Sequence, residues 1–141
     1  MSQSSDLNYL MRSIQIKEQR LYTERTVNYN LSPSQARTLI YIEAHPSANQ
    51  KDVADHFNLR GASTSTLIKK LEDRGYIEKK PSRGTQDRSN RLYLTVAGLE
   101  LATSLKRVFA DVENRLVSIL THTEADTLIQ LLSKIDKKLI E

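Results

Sequence analysis

At 141 residues, with no cysteine and a formal net charge of +4, the chain has the size of one folded domain and excludes disulfides and thiolate metal sites. No stretch approaches the roughly 18 to 20 apolar residues of a membrane span, and the opening Met1 to Asp6 lacks a basic segment followed by an apolar one, so a cytoplasmic protein is expected. Four glycines and the scattered His45, His56 and His122 supply no phosphate loop, no Ser/His/Asp signature and no zinc helix, so neither catalysis nor a cofactor is expected.

In chain order, Leu7, Leu10, Met11, Ile14 and Leu21 form one stripe of a first helix, predicted to reach about Tyr29 because no proline or glycine interrupts it. Ser32, Pro33 and Gln35 supply an N-cap, a proline at the first helical position and a capping-box glutamine for a second helix. Leu39, Ile40 and Ala44 follow, and His45-Pro46 ends it. Asn49, with Asp52 three residues on, starts a third helix whose apolar stripe is Val53, Ala54 and Phe57. Asn58 and Leu59 make a turn, and a fourth helix runs from about Gly61 to a stop at Gly75, with Thr64, Leu67, Ile68 and Leu71 turned inward.

Tyr76 to Lys80 reads as a strand, Pro81 to Asn90 as a polar loop, and Arg91 to Thr95 as a returning strand. After Thr95 a long helix carries Ala102, Leu105, Phe109, Val112, Leu116 and Ile119 at heptad-like spacing. A last helix repeats the habit with Leu128, Leu132, Ile135 and Leu139, capped at Thr123 with Asp126 three residues on. Such stripes commonly serve a monomer's own core. Here three long amphipathic helices exceed what a small winged domain can cover, which makes a two-fold homodimer the economical solution.

Helix, turn, hydroxyl-rich helix and basic hairpin in that order are the layout of a winged helix-turn-helix, and they point at double-stranded DNA. The DNA-facing candidates are Arg60, Ser63, Thr64, Ser65, Thr66, Lys69 and Lys70 on the fourth helix, with Arg83, Arg88 and Arg91 on the hairpin. Short hydroxyls approach base edges, lysines neutralise phosphates, and arginines on a projecting tip suit the narrow, electronegative minor groove. Residues 58 to 91 hold nine Lys or Arg against four Asp or Glu, so this segment alone carries more than the chain's whole positive excess. Taken alone, the fourth helix could equally be an ordinary solvated face; the charged hairpin behind it favours DNA.

The run from Leu31 to Gly98, and most specifically Asp87 to Gly98 with its Leu-Thr-x-x-Gly ending, resembles the MarR family of bacterial and archaeal transcriptional regulators. The resemblance implies a mainly α fold with a small β-hairpin wing, of α+β class. The winged helix-turn-helix would occupy 32–98, its helix-turn-helix about 49–75 and its wing about 76–95, with dimerisation helices at 6–30 and 96–141. It implies a sequence-specific, ligand-responsive repressor that binds a palindromic operator as a homodimer. Many members respond to small anionic aromatic compounds held between dimerisation helices and winged domain, which places Tyr22, Arg37 and Tyr41 as effector candidates; ordinary boundary residues are the competing reading. The lack of cysteine removes the thiol-based peroxide sensing that some members use.

Two departures stand out. The family's wing reads Asp-x-Arg, with the acid bracing the arginine; this chain has Gln86 and Arg88, with Asp87 one place off, through either a one-residue deletion or a substituted brace. Arg60 stands where the family favours a small hydroxyl residue. The alternative function is a small-molecule or metal sensor in which DNA binding is secondary.

Overall fold

The computed structural model describes residues 2–81 and 90–140. The chain forms α1 (Gln3–Thr26), a 3-10 turn (Val27–Tyr29), α2 (Pro33–Ala44), α3 (Gln50–Phe57), α4 (Gly61–Asp73), β1 (Ile77–Pro81), β2 (Asn90–Leu94), α5 (Val96–Ser118) and α6 (His122–Lys138). It divides into two compact units, 1–108 and 109–141, with α5 running from one into the other. No helix of the described residues is long and apolar enough to cross a membrane.

In the first unit the helix starts follow the local chemistry. Ser32 accepts from the Gln35 amide while the Gln35 side chain accepts from the Ser32 amide, with Pro33 at the first helical position. Asn49 and Asp52 make the same reciprocal pair at the head of α3. Each box satisfies two amides that a helix start leaves without backbone partners. The α helix of α1 stops at Thr26, not at Tyr29; the last three residues tighten into the 3-10 turn, and Asn30 closes it in the left-handed region (φ 59°).

Leu39, Ile42, Val53, Ile68, Leu71, Leu92 and Leu105, from α2, α3, α4, β2 and α5, are the largest fully buried apolar side chains of this unit. Each contributes about 1.5–3 kcal/mol by leaving water. The hairpin is antiparallel, with Ile77 opposite Leu94, Lys79 opposite Leu92 and Lys80 opposite Arg91. Both strands sit one residue off their predicted spans: β1 starts at Ile77 and includes Pro81, and β2 starts at Asn90 and releases Thr95.

Thr95 is released because its side chain does other work. Its hydroxyl donates to the Gly75 carbonyl at 2.6 Å and accepts from the Gly98 amide at 3.0 Å, while its own amide donates to the Tyr76 carbonyl at 3.1 Å. A Cβ on Gly98 would collide with that Tyr76 carbonyl oxygen. The Leu-Thr-x-x-Gly run is therefore a joint: it starts α5 and holds it against the turn that ends α4. At its other edge β2 is tied to the α2–α3 connection, since the Leu92 amide donates to Ala48 at 2.8 Å and the Ser47 amide donates to Leu92 at 3.2 Å. These bonds fix where the hairpin stands relative to α3 and α4.

The second unit holds the end of α5 and all of α6. Phe109, Val112 and Ala125 are buried. The predicted seam of α5 is buried at Ala102, Leu105, Phe109 and Val112, half-buried at Leu116, and ends before Ile119, which lies beyond the helix and is exposed. The α6 cap is Thr121, not Thr123. Thr121 accepts from the Glu124 amide at 3.1 Å and its amide donates to the Glu124 carboxylate at 2.9 Å, whereas Asp126 faces His122 at 3.5 Å.

Candidate nucleic-acid interface

α4 buries one face and offers the other. Thr64, Ile68 and Leu71 are buried and Leu67 is half-buried, which leaves Ser63, Ser65, Thr66, Lys69 and Lys70 exposed to solvent. At 100° per residue, Thr66 and Lys69 stand in the middle of the exposed face, with Ser63 and Lys70 flanking one side and Ser65 the other. The Thr66 hydroxyl donates to the Ala62 carbonyl at 3.1 Å, so outward it presents oxygen lone pairs and a methyl group. Lys69 has Asp73 one turn below it at 4.0 Å, a marginal surface contact.

Thr64 leaves the set of base-reading candidates. It is fully buried, and its hydroxyl donates to the Arg60 carbonyl at 3.0 Å, a bond that fastens the first turn from inside. Arg60 occupies the N-cap position with extended backbone and makes no side-chain capping bond. A guanidinium has no acceptor to offer the first amides. α4 thus begins without the side-chain cap that Ser32, Asn49 and Thr121 supply elsewhere.

On the hairpin, Lys80 and Arg91 stand directly opposite each other, and the Lys80 ammonium lies 5.0 Å from the centre of the Tyr93 ring on the same face. The two side chains therefore present positive charge on one face of the hairpin. Lys79 points to the opposite face, 3.7 Å from Glu72 of α4. Arg83, Arg88, Gln86 and Asp87 lie outside the described residues.

The proposed effector residues divide. Tyr22 is buried and the Arg37 guanidinium lies 4.7 Å above its ring, so α1 and α2 bring these two together. Tyr41 is engaged elsewhere: its half-buried ring stacks on His45 at 4.2 Å and on His56 at 4.4 Å. Both histidines are exposed, His45 at the end of α2 and His56 in the last turn of α3. Among the described residues no group of three or more His, Cys, Asp or Glu is arranged to hold a metal ion.

One residue beside the interface had no signal in the sequence. Arg74 ends α4 and donates to the Asn30 carbonyl at 2.6 Å, a contact between residues 44 positions apart. Neither periodicity nor a local motif reports a pairing at that separation.

The chain is similar to proteins that share this layout. A family model described as MarR family matches residues 29–86. The HTH-type transcriptional regulator BilQ of Clostridioides difficile (strain CD3) is 30% identical over 129 residues, spanning 91% of this chain and 86% of that relative. Among solved structures, the Staphylococcus aureus MepR–DNA complex superposes with a TM-score of 0.85 at 25% identity, covering 97% of this chain and 98% of MepR. The apo form of wild-type MarR from E. coli superposes with a TM-score of 0.76 at 22% identity over 92% and 96% of the two chains, a likeness of fold.

Proposed function

The chain belongs to the MarR family and is a DNA-binding regulator of transcription, and on that premise we propose that it acts as a homodimer closing on a two-fold symmetric promoter site. The observation that carries the reading is the exposed face of α4, where hydroxyls and lysines stand on a helix held rigidly from behind by Thr64, Ile68 and Leu71. Ser63 and Thr66, near the N-terminal end, take the base edges; Lys69 and Lys70 take phosphates. Arg91 and Lys80 continue the positive surface onto the hairpin, and Arg83 and Arg88, between its strands in sequence, are assigned to the flanking minor groove.

Bound over a promoter, such a dimer would repress by exclusion, and it would do so in the cytoplasm. An anionic aromatic effector would address Arg37, whose guanidinium already rests on an aromatic ring. The test is selection from a pool of randomised duplexes at near-physiological salt. An inverted repeat is expected, its half-sites about 10 to 10.5 base pairs apart from centre to centre. A pool in which no sequence is enriched would remove the reading.

A further inference from the structure

Three elements meet at one guanidinium. Arg74 is the C-cap residue of α4; its Nη1 donates to the Asn30 carbonyl at 2.6 Å and its Nη2 to the Tyr29 carbonyl at 3.5 Å. The same group lies 5.3 Å from the centre of the Tyr76 ring, which follows the left-handed Gly75 (φ 82°) at the head of the hairpin. The two carbonyls belong to the end of the α1 segment, where the 3-10 turn closes through the Asn30 amide on Val27 at 2.9 Å. Carbonyls at a helix end have no backbone partners and carry the negative end of the helix dipole, so a cation with forked donors is well matched to them.

We propose that Arg74 is a positioning residue for DNA reading: it fixes the C-terminal end of α4 to the 3-10 turn after α1, and the aim of the base-reading end depends on that fastening. The proposal rests on the reading of α4 given above. Leverage makes the anchor matter. With 13 residues, α4 extends about 20 Å, so a tilt of about 3° at one end moves the other by about 1 Å. Hydrogen bonds to base edges weaken over such displacements, whereas contacts of a long lysine to a phosphate adapt. Arg74 touches the 3-10 turn that follows α1, so it ties the reading helix to the connection between α1 and α2.

The experiment uses the full chain and three probes: the duplex enriched from the randomised pool, its single-base variants, and a shuffled duplex of equal length. Arg74→Ala is expected to weaken binding to the enriched duplex about three- to tenfold, the order set by the net worth of one solvent-exposed hydrogen bond. Binding to the shuffled duplex and the salt slope should stay unchanged. Arg74→Lys, with donors but no fork, should fall between. Asn30→Gly, which tolerates the positive φ, should behave as the parent does. Asn30→Val, which resists it, should reproduce Arg74→Ala, and the double variant should lose nothing further.

If Arg74→Ala weakens both duplexes equally and flattens the salt slope by about one, Arg74 is a phosphate contact and the proposal is overturned. It is equally overturned if Arg74→Ala leaves discrimination intact, or if the two substitutions add. A parent protein that enriches no sequence would instead defeat the DNA-reading assignment itself.

Discussion

Thr64 and Ser63 are neighbours on α4, yet the first is fully buried with its hydroxyl on the Arg60 carbonyl and the second faces solvent. Substitutions should separate them. Thr64→Val keeps the shape and removes the hydroxyl, so it is expected to cost about 1 kcal/mol in denaturant unfolding and to leave base preference unchanged. Ser63→Ala should leave unfolding within about 0.5 kcal/mol of the parent and alter discrimination among single-base variants by up to about 1–3 kcal/mol. An exchange of these two outcomes would mean that α4 is rotated from the orientation described. The sequence held both readings of Thr64, because its spacing with Ile68 and Leu71 turned it inward while its hydroxyl suggested DNA. Spacing decided, since packing fixes which way a helix faces. Arg74 was illegible for the opposite reason: its partners are backbone carbonyls, which every residue possesses and no residue type announces.

At the scale of elements, the caps of α2 and α3 were readable because the box residues stand in one frame only. The start of α6 offered two overlapping frames, Thr121 with Glu124 and Thr123 with Asp126, and the earlier one is used. The bonds from the Thr121 amide and hydroxyl hold the Glu124 carboxyl below the ordinary carboxylate range. A depressed acid contributes stability above its unfolded pKa and loses it as the pH falls through its folded value. Glu124→Gln preserves a capping acceptor without the charge. The parent should therefore melt slightly higher than Glu124→Gln at neutral pH, and the gap should close as the pH falls below the carboxylate range. A gap that stays constant across that window would show that the charge contributes nothing to the cap. The strand limits shifted by one residue because Thr95 bonds to Gly75 and Gly98 instead of continuing the ladder, a choice the alternation of apolar residues could not reveal.

For the whole molecule, the terminal helices carry what the winged domain leaves uncovered. Leu10 and Ile14 of α1 are 55% and 54% exposed and Leu132 of α6 is 41% exposed, along stripes the sequence already marked as apolar. Such faces are suited to burial against a second copy of the chain, the partner proposed above. The periodicity of these stripes was plain in the sequence; what covers them was not, because a stripe of leucines reads the same against its own chain or another. In the proposed mode of action two chains read DNA together. Sedimentation of the protein on the enriched duplex tests it directly: two 16.1 kDa chains per duplex are expected, with binding lost when either half-site is scrambled. One chain per duplex, or full binding to a single half-site, would contradict it.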